Sequence, residues 1–275
     1  MAIDASAIKD MVLAEGIDLV GISSAEDLQL AKPARPALRL MPSARSVIVM
    51  AVPHSLGAVF APDLKLWTRN KMQTSRILDH VAEKLGRFLE RNGHLALPVS
   101  ADKPVEIHKK DPATGKELEH TKVLGQLSLK HAAVSAGLGA MGRSNLLITE
   151  RFGPHVRLGA VITELQLEPD VPKAYDPCPQ GCRKCEAACP VSALDGGRYR
   201  VDPCFHYWTW GFERVPPKRI RDWPGYLKML LVHNRNRDFM VEFGQTMITD
   251  VDNCIECMKA CPMGTEWERI RPLSS

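Results

Sequence analysis

The chain has 275 residues, of which 45% are hydrophobic and 25% are charged. That composition is typical of a folded globular protein, and the length suits one large domain or two smaller ones. No apolar run approaches the roughly 20 residues of a membrane-spanning helix, and the start of the chain has neither the charged n-region nor the apolar h-region of a secretory signal peptide. We therefore expect a cytoplasmic protein with no membrane partner, in a compartment that keeps thiols reduced.

The first hundred residues predict helices and strands in alternation. Apolar residues at helical spacing predict helices over 4–16 and 64–92, with a glycine at or just after the end of each. Short apolar runs predict strands over 18–23, 46–52 and 95–99. The strand over 46–52 is a continuous run rich in β-branched residues, which predicts burial on both of its faces.

The middle of the chain predicts a loop, a short helix and then a glycine-rich connection. Residues 101–119 have turn-forming residues and little periodicity, so they predict a long loop or an exposed hairpin of the kind that often lies over a ligand. The short helix follows over 128–136. Three glycines then occur within six positions, at Gly137, Gly139 and Gly142, and they predict backbone conformations or close approaches that side chains would forbid.

These glycines do not predict a dinucleotide site. The G-x-G-x-x-G fingerprint of such a site follows a strand and opens a helix, whereas these glycines follow a predicted helix and precede a strand over 146–149. From the residues alone, the stretch is either a tight helix-to-strand connection or a loop that brings backbone close to a ligand. Beyond it we expect a hairpin that turns at Gly153 and Pro154 and returns through a strand over 156–163.

All eight cysteines lie in the second half of the chain, and they form two runs with one cysteine between them. Each run ends in Cys-x3-Cys-Pro. In bacterial ferredoxins, runs of C-x2-C-x2-C-x3-C-P bind two [4Fe–4S] clusters, and the fourth cysteine of each run crosses to the other cluster. That rule assigns Cys178, Cys182, Cys185 and Cys261 to a first cluster, and Cys189, Cys204, Cys254 and Cys257 to a second. The sequence departs from the pattern twice, because three residues separate the first two cysteines and Cys204 stands alone.

Structural zinc is the alternative ligand for these cysteines, since Cys-x2-Cys pairs also bind zinc tetrahedrally. Neither zinc nor disulfides account for two Cys-x3-Cys-Pro endings, so the pattern favours iron–sulfur clusters.

The clusters also change the charge balance of the chain. The formal net charge is +4, but two oxidised clusters of about −2 each bring it close to zero. We therefore expect no nucleic-acid partner.

Four stretches, taken in chain order, resemble one group of enzymes. They are residues 18–23, residues 42–53, the run AGLGAMGRSNLLITERFGPHVRLGAVIT over 136–163, and the cysteine runs with Cys204-Phe-His-Tyr-Trp. Together they resemble the corrinoid-dependent reductive dehalogenases and the related epoxyqueuosine reductases. The resemblance covers most of the chain, and the order of the stretches is more specific than any one of them.

The resemblance implies an α+β fold with two domains. The first, over 1–168, would be a nitroreductase-like domain for cobalamin and substrate. The second, over 169–275, would be a ferredoxin-like domain with two [4Fe–4S] clusters and an inserted helical segment over 209–250. In those enzymes the glycine-rich loop lies against the corrinoid. The cofactor-binding residues implied here are Gly137, Leu138, Gly139, Met141, Gly142, Arg143, Ser144, Asn145 and Leu146.

The implied activity is that of an iron–sulfur and cobalamin-dependent oxidoreductase. Electrons from a ferredoxin or flavodoxin would pass through the two clusters to cobalamin, for the reduction of a small organic substrate. The alternative is a diferredoxin-type electron-transfer protein that reduces a partner, or a partner's corrinoid, and has no substrate of its own. A flavin in the same cavity is a third possibility, and a homodimer is compatible with each.

The proton donor cannot be carried over from either group of relatives. Epoxyqueuosine reductases have a catalytic aspartate shortly before the glycine loop, but residues 120–126 contain no carboxylate here. Dehalogenases use a tyrosine, yet none of the four tyrosines of this chain precedes the loop. The predicted catalytic residues are therefore His120 and Lys122, with His108 and His131 as further titratable candidates beside the predicted cavity.

Overall fold

The structure is a computed structural model, and it describes residues 3–26, 37–101, 105–110, 117–125, 127–210 and 254–267. For 105–110, 117–125 and residues 206, 209 and 210 it describes the backbone only. The predicted inserted helical segment falls almost wholly outside the described residues. Among the helices that the structure does describe, none has the length and apolar character needed to cross a membrane.

The predicted helices and strands of the first hundred residues are confirmed to within one or two residues at each end. The helices are α1 (Ala5–Ala14), α2 (Ala37–Leu40), α3 (Leu56–Val59), α4 (Leu64–Arg91), α5 (Leu129–Ser135), α6 (Lys184–Ala187), α7 (Val201–Trp210) and α8 (Glu256–Lys259), followed by a 3-10 turn at Thr265–Trp267. The strands are β1 (Leu19–Ser24), β2 (Ser46–Pro53), β3 (Ala96–Val99), β4 (Val105–Lys110), β5 (Glu117–Gly125), β6 (Ala140–Met141), β7 (Leu147–Ile148), β8 (Val156–Thr163), β9 (Leu194–Asp195) and β10 (Arg198–Tyr199).

A four-stranded antiparallel sheet is the centre of the first part of the chain. Its strand order is β1-β2-β8-β3, so β2 and β8 occupy the interior positions. In the register of the sheet, Met50 of β2 lies opposite Val20 of β1 on one side and Gly159 of β8 on the other. Seven of the eight residues of β2 are buried, which confirms the prediction that this strand is covered on both faces.

Helices cover both faces of this sheet. Because side chains alternate along a strand, Val47 and Val49 of β2 pack on the side of α5, while Ile48 and Met50 pack on the side of α1 and α4. Helix α4 carries a long apolar stripe that includes Leu78. The result is a three-layered α/β arrangement with a separate hydrophobic core on each side of the sheet.

One predicted pairing is wrong. The strand β7 does not form a hairpin with β8, but pairs with β6, and a single bridge between Thr149 and Gly153 closes the turn that follows. Strand β8 instead inserts between β2 and β3, where six of its eight residues are buried. The apolar residues on both faces of β8 are the physical reason, because only an interior strand buries both faces. The stretch predicted as a loop or hairpin does form a hairpin, between β4 and β5.

The linker that leaves the sheet is tied back to it by Asp170. One carboxylate oxygen accepts a hydrogen bond from the backbone N–H of Ile22 at 2.8 Å, and the other contacts the Lys9 ammonium at 2.6 Å. The backbone N–H of Asp170 also donates to the Ile22 carbonyl oxygen at 2.8 Å. Asp170 therefore forms hydrogen bonds with backbone groups of the edge strand β1. These bonds fix the direction in which the chain approaches the first cysteine run.

The Asp170→Ala variant should be less stable by about 1–3 kcal/mol, because it leaves the N–H of the fully buried Ile22 without its carboxylate acceptor. A thermal melt of the anaerobically purified protein measures this. Glu15→Ala is the matched control, since Glu15 also contacts a lysine, Lys84, at 2.6 Å but at an exposed site. Its melting temperature should stay close to that of the parent. Equal losses in the two variants would show that Asp170 acts only as a surface ion-pair partner.

Candidate iron–sulfur and cofactor site

The two cysteine runs adopt the same local backbone. In each run the Cys-x2-Cys segment leads into a one-turn helix, α6 in the first and α8 in the second. The residue before α6, Arg183, has φ −130° and ψ 21°, and its counterpart Ile255 has φ −139° and ψ 20°. The residues after the two helices, Ala188 and Ala260, also agree, at φ −79° and ψ −11° against φ −73° and ψ −14°. Helices α6 and α8 contact each other, so the chain places two equivalent thiol-bearing turns side by side.

Electrostatic interactions link the four thiols that the sequence assigns to the second cluster. Burial raises the pKa of the Cys204, Cys254 and Cys257 thiols, that of Cys257 to about 12, and repulsion from neighbouring sulfurs adds to each shift. Cys189 is among the repelling neighbours in all three cases. These four cysteines, drawn from both runs and from α7, therefore lie close together.

The first group shows the same effect between two of its members. Burial raises the pKa of the Cys185 thiol, and the charge of Cys178 raises it further. Cys185 also acts on Cys257, so the two groups are neighbours.

This donor set fits iron. All eight cysteines are free thiols. Desolvation and repulsion raise the pKa of four of these thiols, Cys185, Cys204, Cys254 and Cys257, and a bound cation removes that penalty because a coordinating thiol is deprotonated outright. The described residues contain no group of three or more ligands placed for a single metal ion. A cubane does not need such a group, since each of its four irons takes one cysteine.

Backbone N–H groups point at two of the sulfurs. Ala193 donates to Cys189 Sγ at 3.2 Å, within the cysteine-rich part of the chain. Arg143 donates to Cys178 Sγ at 3.4 Å, and this bond crosses from the glycine-rich stretch to the first cysteine run. The glycine-rich stretch therefore faces the cysteines directly.

The glycine-rich stretch is itself a small hairpin, formed by β6 and β7 with a tip over 142–146. A Cβ atom on Gly139 would lie 2.3 Å from the Ile148 carbonyl oxygen, and one on Gly142 would lie 2.6 Å from Ile148 Cγ1. Both glycines are thus required by the packing of the hairpin against its own second strand. This packing fits the tight helix-to-strand connection that the sequence left as one alternative.

The tip of the hairpin is a better place for a cofactor than the glycines. Met141, Arg143, Asn145 and Leu146 are partly exposed there, whereas others of the predicted cofactor-binding residues, such as Leu138, are buried. The Arg143 Nε atom is buried and has no hydrogen-bond partner among the described residues. A buried donor of this kind fits a ligand with an accepting oxygen, such as the amide side chains of a corrinoid.

None of the three cavities lined by described residues encloses the tip of the hairpin. Three cavities lined by described residues have volumes of 530, 480 and 340 Å³. None of the three is lined by residues 137–146. The 480 Å³ cavity lies closest, between Ile148 of the hairpin and Pro262 at the end of the second cysteine run. Drug-sized ligands occupy pockets of roughly 300–1,000 Å³, and a corrinoid is larger, so these cavities do not hold one.

The second cysteine run is also docked on the sheet domain. The indole Nε1 of Trp267 donates to the Phe152 carbonyl oxygen at 3.2 Å, and the backbone N–H of Glu266 donates to the Arg151 carbonyl oxygen at 2.9 Å. Ile255, beside Cys254, is buried against Trp67 of α4. These contacts hold the cysteines at a fixed place relative to the hairpin.

The predicted catalytic residues His120 and Lys122 lie on β5, where the structure describes the backbone but not the side chains. Strand β5 contacts α7, the helix that carries Cys204. In the β4–β5 register, Lys122 is opposite His108. His131 lies on α5, and its Nδ1 is 2.6 Å from Ser128 Oγ. Burial lowers the pKa of His131, so its imidazole is neutral near pH 7 and is a poor acid.

Sequence reasoning did not single out two residues that interact electrostatically with the second cysteine group. Lys130 of α5 and Tyr199 of β10 both interact with Cys204. The turn Gly196-Gly197 is a hairpin signal that could have placed Tyr199 beside the cysteines. No motif marks Lys130, because its neighbourhood depends on how α5 packs against the cysteine segment.

Curated proteins similar to this chain come from the two groups that the sequence resembles. A tetrachloroethene reductive dehalogenase of Desulfitobacterium hafniense is 29% identical over 153 residues, which are 54% of this chain and 23% of the relative. An epoxyqueuosine reductase of Bacillus cereus is 29% identical over 192 residues, which are 68% of this chain and 46% of the relative. The chain thus spans less than half the length of these relatives. No protein-family model matches it.

Solved structures of both groups share the fold. The epoxyqueuosine reductase of Bacillus subtilis, with its catalytic aspartate loop swung out of the active site, has a TM-score of 0.57 at 18% identity, over 94% of this chain and 65% of that one. A catabolic reductive dehalogenase in complex with 3-bromo-4-hydroxybenzoic acid has a TM-score of 0.57 at 16% identity, over 90% of this chain and 36% of that one. The resemblance stated from the sequence is confirmed: the chain is a homologue of the reductive dehalogenases and epoxyqueuosine reductases, with their mixed α/β fold.

A net charge near zero led us to expect no nucleic-acid partner, and that expectation is wrong. One of the structural neighbours is an epoxyqueuosine reductase bound to a tRNA stem loop, with a TM-score of 0.53 at 20% identity over 78% of this chain. A net charge near zero describes the whole molecule, whereas a nucleic acid contacts one face of it. Overall charge therefore does not decide this question for a protein with this fold.

Replacing Gly139 by alanine should lower the melting temperature without any corrinoid present, by a loss of about 1–3 kcal/mol, because the new Cβ would overlap the Ile148 carbonyl oxygen. Gly57→Ala is the control, since its Cβ would approach nothing closer than Ser55 Oγ at 3.7 Å. That variant should melt at or slightly above the parent temperature. Loss of cofactor binding in Gly139→Ala with an unchanged melting temperature would instead assign this glycine to a ligand.

Proposed function

We propose that this chain is a reductase module in which two [4Fe–4S] clusters carry electrons to a corrinoid at the tip of the glycine-rich hairpin. The first cluster would be held by Cys178, Cys182, Cys185 and Cys261, and the second by Cys189, Cys204, Cys254 and Cys257. The single observation that carries the proposal is the equivalence of α6 and α8, which sets two identical thiol-bearing turns in contact with each other. Homology to two groups of reductases supports the reaction class.

When bound, the clusters supply one-electron transfer and the corrinoid supplies a two-electron reductant. The chain's own contribution is to hold these groups apart from water and next to one another. Cys185 is buried and Cys257 is partly buried, so both would limit solvent access to bound clusters. The N–H of Arg143 bonds to Cys178 Sγ, and this fixes the hairpin tip against the first group of cysteines.

The hairpin tip would bind the corrinoid through its partly exposed side chains. The Arg143 guanidinium is the group with an unused donor, and it would bond to an amide oxygen of the corrinoid periphery. Residues Gly139 and Gly142 would act indirectly, by allowing the hairpin to close tightly on Ile148. The two predicted domains keep the bounds 1–168 and 169–275 in this proposal.

The reaction would be the reductive cleavage of a carbon–halogen bond or of an epoxide carbon–oxygen bond. For a halide, two electrons and one proton are consumed, a carbon–hydrogen bond forms and the halogen leaves as its anion. An external low-potential reductant supplies both electrons. His120 and Lys122 would deliver the proton, since β5 runs beside the cysteine-bearing helix α7.

The substrate could be a free small molecule or a modified nucleoside in tRNA, because the relatives include enzymes of both kinds. Tetrachloroethene is the substrate named for one relative, and a tRNA stem loop is bound to a structural neighbour. Assays with a halogenated phenol, a halogenated ethene and an epoxyqueuosine-containing stem loop distinguish the two cases.

A second candidate function is electron relay without a substrate. It is favoured by residues 120–126, which lack a carboxylate although the corresponding stretch of epoxyqueuosine reductases carries the catalytic aspartate. A relay would keep the two clusters but bind no corrinoid. Cofactor content therefore separates this candidate from the reductase.

Anaerobically purified protein should contain about eight irons and eight sulfides per chain, because each cubane takes four cysteines. The Cys204→Ala variant should lose about half of this iron and leave one cluster largely intact. Iron and sulfide assays, with an electron paramagnetic resonance spectrum of the reduced protein, measure both. Zinc in place of iron, or about four irons in the parent, would contradict the assignment.

Reconstitution with cobalamin should give roughly one corrinoid per chain, and Arg143→Gln should weaken its binding about tenfold or more, because a charge-assisted hydrogen bond is lost. Cobalt analysis and the visible spectrum measure binding. Arg87→Gln is the control, since this exposed arginine of α4 contacts Glu83 and belongs to no predicted site. An intact iron content with no bound corrinoid in the parent protein would favour the relay.

A further inference from the structure

We infer that the turn over 149–153 positions Cys261 for the first cluster, through a direct backbone contact between Gly153 and the segment that follows Cys261. The inference rests on the clusters of the proposed function. Of the four cysteines assigned to the first cluster, Cys261 alone comes from the second cysteine run. Contacts outside the first run must therefore hold it beside the other three.

The turn over 149–153 is a rigid support. The backbone N–H groups of Thr149 and Gly153 each donate to the other residue's carbonyl oxygen at 2.9 Å. The Thr149 hydroxyl donates to the Gly153 carbonyl oxygen at 3.2 Å and accepts from the Phe152 N–H at 3.1 Å. Thr149 is buried, so water does not compete for these bonds. The turn begins directly after β7 and so continues the glycine-rich hairpin.

The backbone of this turn touches the backbone that follows Cys261. A Cβ atom on Gly153 would overlap the Met263 carbonyl oxygen, and one on Gly264 would lie 2.8 Å from the Gly153 nitrogen. Both glycines have positive φ, 55° and 118°. Gly264 is three residues from Cys261, a distance of at most about 10 Å along the chain, and Pro262 stiffens the connection. The contact therefore limits where Cys261 can lie.

The residues after Gly264 extend this contact along the whole turn. Residues 265, 266 and 267 each donate one hydrogen bond to a backbone carbonyl oxygen of the turn, at residues 150, 151 and 152, over 3.1, 2.9 and 3.2 Å. The rings of Trp267 and Phe152 pack with their centroids 5.5 Å apart. The segment after Cys261 is thus fixed to the turn by backbone geometry and by one aromatic pair.

The hairpin and its turn together contact both sources of the first group. At the tip, the Arg143 N–H donates to Cys178 Sγ at 3.4 Å, and Cys178 belongs to the first run. At the turn, Gly153 contacts the segment that carries Cys261 of the second run. One continuous piece of chain therefore sets the relative position of two ligands that are far apart in sequence.

The second group has a separate anchor on the sheet domain. Ile255, which lies between Cys254 and Cys257, packs together with Met258 against Trp67 of α4. This contact does not involve the turn over 149–153. A change at Gly153 should therefore displace Cys261 and leave Cys254 and Cys257 in place, so that the first cluster is lost selectively.

The experiment measures iron, sulfide and the electron paramagnetic resonance spectrum of the reduced, anaerobically purified full-length protein. Gly153→Ala should lose about half of its roughly eight irons. Its spectrum should be that of a single centre and should match the spectrum of Cys261→Ala. The remaining signal should be the one that Cys204→Ala removes. Gly264→Ala, which disturbs the same contact from the other side, should behave in the same way.

Gly93→Ala is the matched control. Gly93 has φ 86°, and a Cβ atom there would meet no atom of the described residues within 4 Å. Its φ lies further from the left-handed region open to alanine than that of Gly153, so the control carries the backbone strain without the overlap. It should keep about eight irons and the parent spectrum.

Trp267→Ala tests the same contact in a milder way, since it leaves both glycines unchanged and removes the ring that packs on Phe152. It should lose part of the first-cluster signal and none of the second, and it decides the question if Gly153→Ala does not fold. About eight irons and both signals in Gly153→Ala and Trp267→Ala would overturn the inference. Equal loss of both signals would also overturn it, because the turn would then support the whole fold. Absence of iron from the parent protein would instead contradict the proposed function.

Discussion

The arrangement of the cysteine-rich part of the chain depends on whether its buried thiols can ionise. Eight cysteines from three separate segments converge, and burial together with mutual repulsion opposes the thiolate form of several of them. In the proposed function, bound iron would resolve this conflict, because thiolate coordination to a cation replaces the lost hydration. The apoprotein and the cluster-bearing protein should therefore differ in stability as well as in colour. Within its described residues the cysteine segment buries few apolar side chains, so its contacts with the sheet domain, and the clusters of the proposed function, would determine its shape.

The sheet domain acts as the support for this cysteine segment. Its interior strands are buried on both faces, which makes it rigid, and its loops at one end contact both cysteine runs. The hairpin tip bonds to Cys178, while residues 150–152 hold the segment around Trp267. The short hairpin thereby contacts the first cysteine group through Arg143 and helix α5 through the bond from Lys130 to Asn145.

Homology and local chemistry answer different questions about this protein. The relatives establish the fold and a class of reductases, but they are considerably longer than this chain and include enzymes with halogenated and tRNA substrates. Residues 120–126 differ from the pattern of the epoxyqueuosine reductases at the position of the catalytic carboxylate. The cluster ligands can therefore be compared between these proteins more directly than the proton donor, which has to be argued from the side chains of this chain alone.

The sequence by itself determined the features that depend on local spacing. The Cys-x2-Cys-x3-Cys-Pro repeats defined two equivalent turns, and apolar periodicity defined α4 and the buried strand β2. The tertiary structure decided the contacts between distant segments. It paired β7 with β6 and not with β8, and it showed that Gly139 is needed for packing against Ile148. The physical reason is that local conformation follows from neighbouring residues, whereas strand pairing and charge contacts depend on which surfaces the whole chain buries together.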